Sequence, residues 1–249
     1  MIGRVEVVDF IAQLDAHGSA LADAAERAGL DAAVPTCPEW DVRALLGHVG
    51  TVHRWAGGIV RGEPGAREQD DFPAPEDGVI SWFREGHAAL VSSLRSAPAD
   101  LDVWAFLPAP SPLTFWARRQ AHETAIHRAD AEAAAGSIPR YDAEFAIDGI
   151  AELLEGFYAR PRGRLVADPG FSLRVAPTDS DASWTVRVDP DKRTTVRHDE
   201  PATEQADCTL TAPASELYLD LWNRGGSTTA IGDPRVMQTW RDLATVRWS

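Results

Sequence analysis

Among the chain's seven histidines, two lie on one helical run that also carries an acid. The run Trp116 to Asp130 contains His122, Glu123 and His127. It is not the H-E-x-x-H pattern of zinc proteases, because His122 and His127 are five apart. On an α-helix that spacing sets them ~140° apart around the axis, so they cannot grip one ion together. Glu123 and His127 are four apart, only ~40° around and one turn up, and can chelate one metal. A third ligand must come from another helix. His48, among Leu45, Leu46 and Val49, is the best placed; His53, five residues on, points ~140° away. Two imidazoles and one carboxylate suit zinc, and three protein ligands leave a position open, as catalytic sites do. Helical bundles build metal sites this way, from facing helices. The residues leave a second reading open. A buried histidine can be a hydrogen-bonded core residue, and an E-x-x-x-H pair can be a surface ion pair.

Other candidates for chemistry fall away. Cys37 precedes Pro38 with no base near it in sequence and reads as structural; Cys208 sits in a predicted strand and reads as core. Of the nine tryptophans, Trp40 and Trp55 flank the His48 helix and Trp116 precedes the other ligands. Most are expected in the core, with one or two walling the pocket. Gly225-Gly226-Ser227 is no phosphate loop, since no lysine follows and no strand feeds it.

The elements that must position these residues are helices for the first 160 positions. Apolar residues three or four apart mark Val5 to about Leu30, with Val8, Ile11, Leu14, Leu21 and Ala25 on one side. A second helix begins near Asp41, a good N-cap, and passes through His48 to Trp55. Further helices fit Gly78 to Ser96, Thr114 to Ala135 and Asp142 to Tyr158. After a break around residues 159–163, alternating β-branched segments at 171–175, 184–188 and 194–197 read as antiparallel strands. Cys208 to Thr211 adds another. Helices from Pro213 to Trp222 and from Pro234 to Leu243 close the chain. The expected architecture is therefore a helical bundle over residues 1–160 followed by a small α+β domain with an antiparallel sheet over 161–249.

Composition narrows the function. With 249 residues, 38 acidic and 24 basic side chains and a net charge of −14, the chain lacks the basic excess that non-specific nucleic-acid binding needs. No apolar run approaches the ~20 residues of a membrane helix, and the N-terminus does not read as a secretory signal. A cytoplasmic protein with reduced thiols is expected.

Three segments resemble a known family. T-C-P-E-W-D-V-R-A-L-L-G-H-V-G (Thr36 to Gly50) resembles the first signature of the mycothiol-dependent maleylpyruvate isomerase-like proteins, which are DinB-like metal-binding bundles. R-R-Q-A-H-E-T-A-I-H-R-A-D-A-E (Arg118 to Glu132) resembles their second. L-Y-L-D-L-W-N-R with the following I-G-D-P (Leu217 to Pro234) resembles their C-terminal domain, related to sterol-carrier-like folds. The resemblance implies an N-terminal DinB-like four-helix bundle, with His48, Glu123 and His127 as ligands of a divalent metal. It implies a catalytic arginine from the C-terminal domain, which maps onto Arg224. Arg119 and Asp130 then orient the ligand helix.

It also implies a chemistry. Zinc deprotonates a low-molecular-weight thiol, mycothiol, and the thiolate is the nucleophile. In an isomerase the thiolate adds to a cis double bond, the single bond rotates, and elimination gives the trans product. In an S-transferase the same thiolate goes to another electrophile. An arginine such as Arg224 can fork a substrate carboxylate. The expected partners are a small electrophile and the thiol, with no nucleic acid and no membrane, in a monomer or weak homodimer. The alternatives are a metal-dependent hydrolase on the same bundle and a non-catalytic small-ligand-binding protein with a structural metal.

Overall fold

The structure, a computed structural model, describes residues 6–69, 71–160, 165–200 and 204–244. Four long helices form the first compact unit: α1 (Val7–Ala28), α2 (Val42–Val60), α3 (Val79–Ser96) and α4 (Pro112–Ala134). Local chemistry sets their starts. The Asp41 side chain accepts from the Ala44 amide at 2.8 Å, and that of Ser111 from the Thr114 amide at 3.1 Å, each satisfying a donor the first helical turn leaves open. Pro112 takes the first helical position, where no amide hydrogen is needed.

α1 packs on α4 and α2 on α3. The core is apolar where sequence periodicity places it: Ile11, Leu14, Leu21 and Ala25 on α1, Leu45, Leu46 and Val49 on α2, Phe83, Val91 and Leu94 on α3. Val8, expected on the apolar side of α1, is instead 70% exposed; it lies ~120° from Leu14 and ~140° from Leu21 around the axis. α4 is different in kind. Its buried residues include Arg119, Gln120, His122, Glu123, Thr124, His127, Asp130 and Glu132, so it has no apolar stripe and a polar interior face. Buried polar groups cost free energy unless they find partners, and α4 is where the chain accepts that cost.

The loop between α1 and α2 folds back on the bundle. Val34 donates to Trp40 O at 3.0 Å and Trp40 to Cys37 O at 2.8 Å, and Val34, Cys37 and Trp40 pack against the α1–α2 core.

The second compact unit begins at Arg140, the first ending at Pro139. It holds α5 (Ala143–Ala151), which continues as a π-helical turn (Glu152–Phe157), and strands β1 (Phe171–Pro177), β2 (Ser183–Val188), β3 (Arg193–His198), β4 (Cys208–Ala212) and β5 (Thr229–Gly232), with α6 (Ala214–Leu221) between β4 and β5 and α7 (Pro234–Leu243) after β5. The sheet order is β3-β2-β1-β4-β5. It is mostly antiparallel, but β1 and β4 run parallel, Leu173 opposite Cys208 and Val175 opposite Leu210. The expected antiparallel sheet is thus present with one parallel pair, because β4 lies on the side of β1 away from the β2–β3 hairpin. The short edge strand β5 carries no alternation, all four residues being exposed, and so gave no period-two signal.

Periodicity alone sets the domain division at 160/161, where strands replace helices. Contacts set it twenty residues earlier, because α5 packs on α6, with the rings of Tyr141 and Phe145 edge-on to Tyr218. Periodicity reveals a helix but not its packing partner. Residues 161–164 of the expected break lie outside the described residues.

Candidate metal centre

α2 and α4 bring three ligand atoms together. His127 Nε2 lies 3.3 Å from Glu123 Oε1, and His48 Nε2 lies 3.8 Å from the same oxygen. One ligand atom from each of the three residues can be chosen with all of them within 4.8 Å of one another. Ligand atoms around a tetrahedral zinc with bonds of about 2.0–2.1 Å stand roughly 3.3 Å apart; the Glu123–His127 pair already has that separation and His48 must close on them. Glu123 Oε1 is buried and makes no hydrogen bond; what it faces are the two imidazoles. A buried carboxylate oxygen aimed at two ring nitrogens fits a cation better than it fits an apolar core.

The surrounding residues fix these three. His127 Nδ1 is 2.8 Å from Asp130 Oδ2, which holds the ring proton on Nδ1 and leaves Nε2 as the lone-pair donor, the carboxylate–histidine arrangement of metal sites. Asp130 is itself held: Thr36 Oγ1 donates to Oδ1 at 2.5 Å and Cys37 Sγ to Oδ2 at 3.9 Å. The other oxygen of Glu123 accepts from Arg119 Nη2 at 2.9 Å. The Trp40 ring lies 4.9 Å from that of His48 and 6.1 Å from that of His127, nearly stacked on the latter. His48 keeps a quarter of its side chain exposed while Glu123 and His127 are covered, so the centre opens toward the His48 side.

Electrostatics agree with cation binding. Burial alone would raise the Glu123 carboxyl, but His127, His48 and Arg119 outweigh it and hold the group well below the carboxylate range. Burial likewise works against a charged His127, and Asp130 and Glu123 reverse it, raising the imidazole. The site therefore attracts a positive charge, and a divalent ion would displace the proton that otherwise fills that role.

The remaining histidines stay apart from this trio. His53 Nε2 bonds Thr124 Oγ1 at 2.8 Å, and its ring lies against Phe83 and His87. His122 is fully buried edge-on to Phe10. Among the described residues neither joins the ligand group. Arg224 lies just past α6 in the second unit. It is 6% exposed, its amide donates to Leu219 O at 2.8 Å, and its Nη1 to Trp222 O at 2.8 Å. Asn223, Gly225 and Gly226 around it all have positive φ, which fixes a tight turn. Sequence reasoning missed the Thr36 and Cys37 contacts to Asp130. The signal was a loop of two polar residues before Pro38 inside a motif whose other end supplies a ligand.

Comparison with known proteins gives the same division of the chain. The family model described as the mycothiol maleylpyruvate isomerase N-terminal domain matches residues 11–132, and that of the corresponding C-terminal domain matches residues 144–239. Among solved structures, a crystal structure of the mycothiol-dependent maleylpyruvate isomerase matches with a TM-score of 0.57 and 15% identity, covering 91% of this chain and 93% of the other. A histidine-to-alanine mutant of that enzyme matches with a TM-score of 0.58 at the same identity and coverage. At that identity the likeness speaks for the fold. No curated protein matches this chain in sequence.

Proposed function

We propose, for a chain that belongs to the mycothiol-dependent maleylpyruvate isomerase family, that it is a metal-dependent and mycothiol-dependent enzyme of the isomerase or S-transferase type. The observation that carries the reading is the convergence of His48, Glu123 and His127 on one point, with Asp130 behind His127. A divalent ion held there, zinc by its donor set, would supply a Lewis acid that keeps a thiol deprotonated at neutral pH.

The chain's own residues do the rest. Asp130 holds the His127 proton on Nδ1 and orients the ring. Arg119 fixes the Glu123 carboxylate by its second oxygen, so the first remains turned to the imidazoles. Trp40 walls the His48 side. Arg224 is assigned the substrate carboxylate on the match of its segment to the family, where a guanidinium would bind bidentately and steady enolate charge. The protein keeps its thiols reduced in a cytoplasmic setting and acts on a small electrophile.

Two further observations support an enzyme over a protein with a structural metal. A structural zinc takes a fourth protein ligand, and the two histidines best placed to supply one, His53 and His122, are committed elsewhere. His48 also leaves the centre accessible. The test is incubation of zinc-loaded protein with mycothiol and maleylpyruvate, followed by absorbance for the trans isomer, with mass spectrometry over a panel of electrophiles. Thiol-dependent isomerisation or S-adduct formation is expected. Turnover of esters or amides without thiol would favour the hydrolase, and zinc uptake with no turnover of any kind would favour the binding protein.

A further inference from the structure

Gln120 is 1% exposed, and its Oε1 is buried without a hydrogen-bond partner. A buried amide oxygen left in this state is costly, and a Met of similar volume would avoid that cost. Its place on α4 suggests what it serves. Counted at ~100° and ~1.5 Å per residue, Gln120 lies ~60° around the axis and roughly 4.5 Å along it from Glu123, and ~20° around and roughly 10.5 Å along from His127, toward the helix N-terminus. α2 and α4 run antiparallel here. His48 meets Glu123 and His127 at one level, and Trp55 meets Trp116 with ring centroids 5.3 Å apart two turns away. Gln120 falls between those two levels, on the face they share. Along α2 the residues His48, Thr51, Val52 and Trp55 are only half buried, so this side of α2 keeps partial exposure to solvent.

We infer that Gln120 receives the amide of a cysteinyl thiol whose sulfur occupies the metal centre, and so selects amide-bearing thiols. The inference rests on the thiol-dependent reading above. In an N-acylated or amide-linked cysteine such as that of mycothiol, an amide lies three bonds from the sulfur, a reach of about one helical turn. A glutamine amide is its reciprocal partner: Oε1 accepts from the ligand N–H and Nε2 donates to the ligand C=O, and neither group carries a charge that would have to be neutralised. A site built to hydrogen-bond a ligand amide also rejects analogues that lack it, because its own polar atoms are then left unpaired.

The test uses zinc-loaded protein and calorimetric titration with two probes, mycothiol and 2-mercaptoethanol, which has a thiol and no amide. Gln120→Met keeps the volume and removes the amide. It is expected to weaken mycothiol binding tenfold or more, to leave mercaptoethanol binding and zinc content unchanged, and to leave Tm equal or higher, because an unsatisfied buried group is gone. Gln120→Asn retracts the amide by one methylene and serves the same comparison should the first variant not fold. Unchanged mycothiol affinity in the variant overturns the inference alone, as does an equal loss for both thiols, which would mark a disturbed metal centre. Wild-type protein that loads zinc but binds neither thiol overturns the thiol-dependent reading, and the inference with it.

Discussion

Asp130 shows how far one side chain can govern this centre. It touches no ligand atom directly, yet it accepts from His127, Thr36 and Cys37 together. Replacing it with Asn offers His127 Nδ1 an amide in place of an anion and weakens the orientation of the ring. Asp130→Asn should lower zinc affinity about 10–100-fold, measured by competition with a chromophoric chelator, with the far-ultraviolet spectrum unchanged. His48→Ala and His127→Ala should each lose bound metal by elemental analysis, and retention of a full equivalent in both would refute the ligand assignment. These ligands were legible in the sequence because α-helical phase alone pairs Glu123 with His127 and separates His122. His48 rested on its position in a helix and on the motif match. Gln120 was not legible, since a glutamine on a polar helix gives no sign that it will be buried without a partner.

The helices were readable for a simple reason: caps and apolar spacing are local. Asp41 marks a start that the chain keeps, while α4 begins at Pro112, two residues before the expected Thr114. What spacing does not carry is how closely helices approach. α1 and α3 meet at Gly18, where an added Cβ would lie 2.2 Å from the His87 ring. Gly18→Ala should therefore destabilise the bundle by about 1–3 kcal/mol, read from urea unfolding, and a change within experimental error would show that His87 can move aside. The same layer predicts an acid response. Burial, with Arg128 beside it, lowers His17 to about 3. Burial also lowers His53, with His87 adding to it, and lowers His87 itself. Unfolded, all three titrate near 6.5. Above that pH both states hold them neutral and their contribution is complete. Below it the unfolded chain takes up protons that the folded chain refuses, so stability falls as pH drops from about 6.5 toward 3. The urea midpoint should be lower at pH 5 than at pH 7.5, and the drop should be smaller in His17→Phe. An equal drop in both proteins would remove His17 from the explanation.

The chain is two units of different design. A bundle accepts a polar helix at its centre, and a small sheet domain buries Leu173, Val175, Trp184, Val186 and Leu210 on ordinary apolar terms. The change of design was visible as a change of period. The unit to which α5 belongs was not, because that depends on contacts with α6, some seventy residues later. The part proposed for Arg224 is tested on turnover. Arg224→Lys cannot form the guanidinium fork and should lower kcat/KM about tenfold or more, ~1.4 kcal/mol or greater, with metal content and Tm nearly unchanged. Unfolding, or unaltered turnover, would make the residue structural or peripheral.

All of this depends on a metal that takes a thiol as thiolate at His48, Glu123 and His127. Cobalt in place of zinc makes that step visible, because a thiolate bound to cobalt produces a near-ultraviolet charge-transfer band. Titration of cobalt-loaded protein with mycothiol at neutral pH should bring up this band to one equivalent in the wild type and fail to do so in His127→Ala. A wild-type protein that holds one equivalent of cobalt and shows no such band with excess mycothiol would contradict the thiol-activating role.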